Sequence, residues 1–189
     1  MFIDVADCSV KDRGDVFRML KMIHEISEYC DIILSVNHNE FQTTTGVLEE
    51  FDAQKNTFEE NKMCKNEIED NKTSGNENIF DDSWNENAKH LYDFCGLKYL
   101  CVHLRDSAYG YDGSDIYCTK NKLIKNPKVS TGGGDNFNAG LLYGLLTGLD
   151  LEGAMITGNA ASGFYITQGH GASREELVRY LNNWAQELV

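Results

Sequence analysis

Apolar residues in this chain fall into short runs separated by longer amphipathic stretches, the alternation expected of strands and helices in turn. Phe2-Ile3-Asp4-Val5-Ala6 reads as a strand close to the first residue. From Asp15 to Tyr29, Val16, Met19, Leu20, Ile23 and Ile26 recur at helical spacing and predict an amphipathic helix. Asp31-Ile32-Ile33-Leu34-Ser35-Val36 is a compact run of buried-strand type, and it ends in the polar residues Asn37-His38-Asn39-Glu40. Strand, helix, strand in that order predicts a parallel pair with a right-handed crossover. Ligands of open parallel sheets sit beyond the carboxyl ends of strands, which is where Asn37 and Glu40 fall. The same spacing also fits a simple helix start, with Asn37 as cap and Glu40 as its capping-box partner.

The pattern breaks between Glu49 and His90, where twelve acidic residues stand against five lysines and carry −7 of the chain's −13 net charge. Asn56, Asn61, Asn66, Asn71 and Asn76 recur at an interval of five, which suits neither helix nor strand. Residues 56–82 are therefore expected to be an acidic, Asn-rich, disordered insertion or marginal surface helices, within an otherwise single α/β domain over 1–189. Trp84, Ala88, Leu91, Tyr92 and Phe94 mark the return of a packed helix, and Lys98–Leu104 predicts a central strand. Tyr109–Tyr111 and Ile116–Cys118 flank Asp112-Gly113-Ser114-Asp115, the signal of an antiparallel hairpin at the far side of a mostly parallel sheet. A helix after the glycines is expected to end near Gly148, followed by a small-residue helix over Leu151–Thr167. Its small residues suit close helix packing or a flat ligand such as a purine. Ser173-Arg174-Glu175-Glu176 is a capping box that opens a last amphipathic helix.

Composition narrows the classes. At 189 residues and 21.3 kDa the chain can bury one proper core. A net charge of −13 argues against nucleic acid as a partner, because phosphate backbones need clustered Lys and Arg. No apolar run approaches the ~20 residues of a membrane span, and Met1-Phe2-Ile3-Asp4 has no signal-peptide character, so a cytoplasmic protein is expected. The six cysteines show no CxxC spacing and no zinc-type pairing with histidine; they read as free thiols, mostly buried, in a reducing compartment. His38 and His170 read as loop histidines without catalytic duty.

The candidate chemistry lies in Ser130-Thr131-Gly132-Gly133-Gly134-Asp135-Asn136-Phe137-Asn138-Ala139-Gly140. A glycine-rich turn opening a helix offers unpaired backbone N–H groups and the positive end of the helix dipole, which together suit an anion. A carboxylate at Asp135 in that place fits proton handling, accepting the proton of a hydroxyl that attacks a bound phosphoryl group. It equally fits a plain helix entry with Asp135 as a dipole partner.

Thr131–Gly140 resembles the second signature of ribokinase-like (PfkB) carbohydrate kinases, D-T-x-G-A-G-D-x-F-x-A-G, and Asn37-His38-Asn39-Glu40 resembles that family's N-x-x-E motif. The resemblance implies a three-layer, doubly wound, ribokinase-like sheet, incomplete here, and an ATP- and Mg2+-dependent phosphoryl transfer to a hydroxyl of a sugar or nucleoside. It implies Asp135 as general base, Gly132, Gly133 and Gly134 as the anion hole, and Asn37 and Glu40 as the pair that positions Mg2+. It places Thr131, His103, Arg105 and Asn159 beside the nucleotide. Two positions depart from the pattern: the signature's leading aspartate, part of a monovalent-cation site in some relatives, is Val129, and the T-x-G after the central strand is His103-Leu104-Arg105. Against relatives of roughly 300 residues, the chain corresponds to a C-terminal half that keeps the catalytic base and lacks the acceptor side. A non-catalytic nucleotide-binding remnant or truncated fragment is the alternative. The strand at Phe2 would then leave an apolar sheet edge open, suited to a homo-oligomer or to pairing with another polypeptide.

Overall fold

The computed structural model describes residues 1–60, 82–129 and 131–187. In chain order these form β1 (Phe2–Asp4), α1 (Arg13–Ser27), β2 (Ile33–Asn37), α2 (His38–Glu60), α3 (Asp82–Cys95), β3 (Tyr99–His103), β4 (Ser107–Tyr111), β5 (Ile116–Lys120), α4 (Gly133–Leu146), α5 (Leu151–Gln168) and α6 (Arg174–Glu187). The strands make one open sheet in the order β1-β2-β3-β4-β5. β1–β2 and β2–β3 pair in parallel, whereas β3–β4 and β4–β5 are antiparallel, so the sheet is mixed in equal parts rather than mostly parallel. The short Leu104–Asp106 link explains this: three residues can reverse a chain but cannot carry the crossover that a parallel neighbour needs.

Side-chain alternation along the strands divides the core in two. Ile3, Leu34, Val36, Leu100 and Val102 point to the face covered by α1, α2 and α3, where they meet Leu20, Ile23, Phe41, Val47, Leu48 and Leu91. Phe2, Tyr99, Cys101 and Ala108 point the other way, onto Phe137 and Leu141 of α4 and Leu151, Ala154 and Met155 of α5. Helices on both faces of the sheet give three layers. α6 packs outside α5 through Leu177, Tyr180, Leu181 and Trp184.

The local signals account for most element boundaries. Asp12 caps α1 by accepting from the Gly14 N–H (2.9 Å), and Asp150 caps α5 by accepting from the Gly153 N–H (2.8 Å). Glu176 and Ser173 close the reciprocal box that starts α6. Asp112 accepts from the N–H groups of Ser114 and Asp115 and from the Tyr117 hydroxyl, and Gly113 takes a φ of 93°, so the Asp-Gly-Ser-Asp turn forms the hairpin. The acidic stretch over 56–82 begins inside α2 and ends at the first residue of α3; residues 61–81 lie outside the described part. Cys8, Cys95 and Cys101 are buried free thiols, and burial pushes Cys95 and Cys101 up to about 12. Cys30 and Cys118 are free but exposed, because one follows the end of α1 and the other sits on the edge strand β5. Among the described residues no helix is long and apolar enough to cross a membrane.

Candidate active site

Asp4, Asn37 and His103 are the last residues of three adjacent parallel strands, and the register sets Asp4 beside Ser35 and Asn37 beside His103. Strand periodicity puts Asp4, Ser35, Asn37, Cys101 and His103 on the face that carries α4. The first turn of α4 comes down over these strand ends. Between them is a cavity of about 350 Å3 lined by Asp4, Val5, Ala6, Asn37, Glu40, His103, Gly132, Gly134 and Asp135. The structure thus brings together Asn37, Glu40, His103, Gly132, Gly134 and Asp135, residues nearly a hundred positions apart in the most distant case.

The glycines are dictated by this geometry. Gly132 caps α4 at φ 84°, a left-handed conformation, and no side chain caps the helix, so its first N–H groups remain available. A Cβ on Gly134 would stand 2.9 Å from the His103 ring, and one on Gly132 would stand 2.9 Å from the Tyr165 hydroxyl. Gly133 starts the helix beside them, where a Cβ would be 3.3 Å from Ser162 and Ile166. Asp135 is exposed in the same turn.

Asn37 and Glu40 form a closed reciprocal pair. The Asn37 backbone N–H donates to Glu40 Oε2 (2.7 Å) and Asn37 Nδ2 donates to Glu40 Oε1 (2.6 Å), while the Glu40 N–H donates to Asn37 Oδ1 (3.0 Å). The motif is therefore a capping box for α2, with both ends of the Asn37 amide used in holding a buried carboxylate at the cavity wall. Burial raises the Glu40 pKa first of all, the Asn37 N–H opposes the rise, and the charges of Asp4 and Asp7 add to it. Asp4 is also raised, by burial on its protein side and then by the charge of Asp135; the Asn138 amide opposes.

His103 lies against Phe137, ring centres 5.3 Å apart, and burial pulls its pKa down to about 4, with Asp135 opposing. The imidazole is neutral at physiological pH. Below its ordinary value of 6.5 the unfolded chain binds a proton that the folded chain refuses, so His103 makes the fold less stable as pH falls from 6.5 to about 4. The loss should approach about 3 kcal/mol, set against a gain as the raised carboxyls of Asp4 and Glu40 take up protons. Urea unfolding at about pH 7 and pH 5 should show that His103→Asn flattens this acid-side loss; an unchanged slope would remove His103 as its source.

Other expected site residues lie elsewhere. Thr131 is exposed just before the turn and does not line the cavity. Arg105 is exposed in the β3–β4 link, also away from it. Asn159 is buried on α5, where its Nδ2 donates to Thr119 Oγ1 on β5 (2.9 Å). Asp4 was not singled out from sequence, although a polar residue ending the strand beside β2 meets the same rule that selected Asn37.

Residues 33–184 match the sequence model of the prokaryotic ketohexokinase family. The chain belongs to that family. A ketohexokinase from Haloferax volcanii is 22% identical over 106 residues, 56% of this chain and 28% of that protein. Among solved structures, ribokinase from Thermotoga maritima matches 96% of the chain and 48% of its own, at 20% identity and a TM-score of 0.60. A probable sugar kinase from Rhizobium etli matches 98% and 44%, at 20% identity and a TM-score of 0.64. A protein described as ribokinase II from E. coli, solved with ATP and Mg2+, matches 93% and 45%, at 15% identity and a TM-score of 0.56. These likenesses establish a ribokinase-like, PfkB carbohydrate-kinase fold. The chain spans 28% of the curated relative's length and under half of each of these solved kinases.

Proposed function

We propose that this chain carries the base and the phosphate-handling part of an ATP-dependent kinase that phosphorylates a hydroxyl of a sugar, with a ketohexose as the first acceptor to try and nucleosides as the next. The observation that supports this most is the meeting of Asp135 and the uncapped first turn of α4 with the carboxylates of Asp4 and Glu40 around one cavity. Phosphoryl transfer is catalysed mainly by positioning and by charge stabilisation, and these groups supply both. Asp135 would accept the proton of the attacking hydroxyl. The N–H groups of Gly132, Gly133 and Gly134 would hold the transferring phosphoryl oxygens at the positive end of α4. The nucleotide would extend from there past Thr131, with Arg105 and Asn159 in the neighbouring elements.

Mg2+ fits the donor set through water rather than directly. Among the described residues no three His, Cys, Asp or Glu side chains converge to ligate a metal. Asp4 and Glu40 nevertheless both have their charged forms disfavoured by burial and by nearby negative charge, a condition that a hydrated cation relieves. Asn37 would serve by keeping the Glu40 carboxylate in place. When bound, Mg2+ would neutralise charge on the donor phosphates.

The test is incubation of the chain with MgATP and a panel of ketohexoses, other sugars and nucleosides, reading the phosphorylated product and, in parallel, the melting temperature. Phosphorylation of any panel member supports the reading. MgATP at a hundred times its dissociation constant should raise stability by about 2.7 kcal/mol. A second reading, nucleotide binding without turnover, draws on the chain's spanning under half of each solved kinase named above. It is distinguished by the thermal shift appearing with no product. Neither shift nor product would defeat both.

A further inference from the structure

The carbonyl end of α5 borders the turn that offers its N–H groups to an anion. A Cβ on Gly132 would stand 2.9 Å from the Tyr165 hydroxyl, and one on Gly133 would stand 3.3 Å from Ser162 and Ile166, all three in the last two turns of α5. The last carbonyls of a helix lack partners within it and carry the negative end of its dipole, which works against an anion bound next to them. α5 has no basic residue in its own last turn. Its end is met instead by the segment that leads into the glycines. The Lys128 N–H donates to the Ile166 carbonyl at 2.9 Å, and the Val129 N–H reaches the same oxygen at 3.3 Å. The Lys128 ammonium donates to the Gln168 carbonyl at 2.9 Å, and its stem runs over Gly169, where a Cβ would lie 3.4 Å from Lys128 Cδ. Lys128 stands four residues before Gly132. One residue therefore anchors the approach to the anion turn by its backbone and brings a positive charge to the helix end by its side chain.

Resting on the phosphoryl-transfer reading of this cavity, we propose that Lys128 is a positioning residue, a tethered cation that neutralises the carbonyl end of α5 and holds the glycine turn against it, so that the site works without a dissolved monovalent cation. Backbone carbonyls can replace the hydration shell of an ion such as K+. The Lys128 ammonium takes that place from within the chain. The pair is exposed, so a dissolved ion can reach the carbonyls once the side chain no longer ends in an ammonium. Lys128 does not line the cavity, and its effect passes through the turn that does.

Lys128→Met and Lys125→Met in the full chain separate this role from a general attraction of the lysine-rich link for nucleotide. MgATP affinity is measured by calorimetry in tetramethylammonium chloride and in KCl at equal ionic strength, because the organic cation is too large to sit among carbonyls. The parent should bind equally in both salts. Lys128→Met should bind roughly 2–10-fold more weakly in tetramethylammonium chloride and regain most of that in KCl. Lys125→Met removes the same charge from an exposed position three residues upstream and should stay near the parent in both. A Lys128→Met loss that is equal in the two salts, a loss matched by Lys125→Met, or no loss at all would overturn the proposal, as would a parent that binds MgATP only in KCl. If the parent binds no MgATP in either salt, the kinase reading fails on its own, and the cation role is then read without ligand from the backbone amide resonances of Gly132, Gly133 and Gly134. Those should shift in Lys128→Met in tetramethylammonium chloride and return toward the parent positions in KCl; resonances that ignore the salt overturn it.

Discussion

Asp135→Asn is expected to lower phosphoryl transfer by about 10²–10⁴-fold, the contribution of a positioned general base, with the MgATP-induced rise in melting temperature preserved. The substitution keeps the size and helical position of the side chain, and Asp135 is exposed, so the fold has little reason to respond. Its charge is felt nearby, however: it raises the pKa values of Asp4 and His103. Removing it should bring Asp4 back toward the ordinary carboxylate range and take His103 lower still. Both shifts can be followed by NMR, and they would show that the three groups share one electrostatic environment. Product formed at the parent rate by Asp135→Asn, with MgATP binding intact, would remove Asp135 as the base. Proton abstraction would then have to be assigned to another group on the cavity wall.

The sheet and the site were legible in the sequence to different degrees. Strand and helix positions followed from hydrophobic period and from caps that work through neighbouring residues alone, as at Asp12, Asp150 and Ser173–Glu176. The orientation of β4 was less visible, because it depends on how little chain links it to β3. Within the site, Asn37-x-x-Glu40 admitted two readings, and the geometry merges them: the capping box is what holds a buried carboxylate at the cavity. Asp4 escaped notice because its meaning arises from the pairing of β1 with β2 and from the first turn of α4 beside them. Asn159, which the family resemblance sets beside the nucleotide, spends its Nδ2 on Thr119 of the sheet beneath it, a contact that no local pattern announces. The small residues around it serve packing between α4 and α5.

That packing carries the largest expected effect on stability. Gly140 of α4 meets α5 so closely that a Cβ there would lie 2.7 Å from the Thr157 carbonyl oxygen, 2.7 Å from the Ala161 Cβ and 2.8 Å from the Gly158 Cα. Two of the three are backbone atoms, which cannot turn aside as a long side chain can. Gly144 and Gly158 repeat the arrangement, with Cβ positions 2.7 Å from the Ala154 Cα and 2.9 Å from the Phe137 carbonyl oxygen. Helix propensity alone would favour Ala over Gly by about 1 kcal/mol. Overpacking in a core opposes it with about 1–3 kcal/mol or more, and here the helices would have to separate. Gly140→Ala is therefore expected to lower the melting temperature by roughly 4–10 °C, and Gly140→Val by more. Gly46 on α2 is the control, because a Cβ there meets only the end of the Arg13 side chain at 3.4 Å. Gly46→Ala should be neutral or raise the melting temperature by propensity. The consequence reaches the site, since α4 also carries Asp135: moving α4 off α5 shifts the anion-binding turn relative to Asp4 and Glu40. A Gly140→Ala protein as stable as the parent would mean that the helices slide apart without cost, and the fixed spacing between that turn and the strand ends would then need another source.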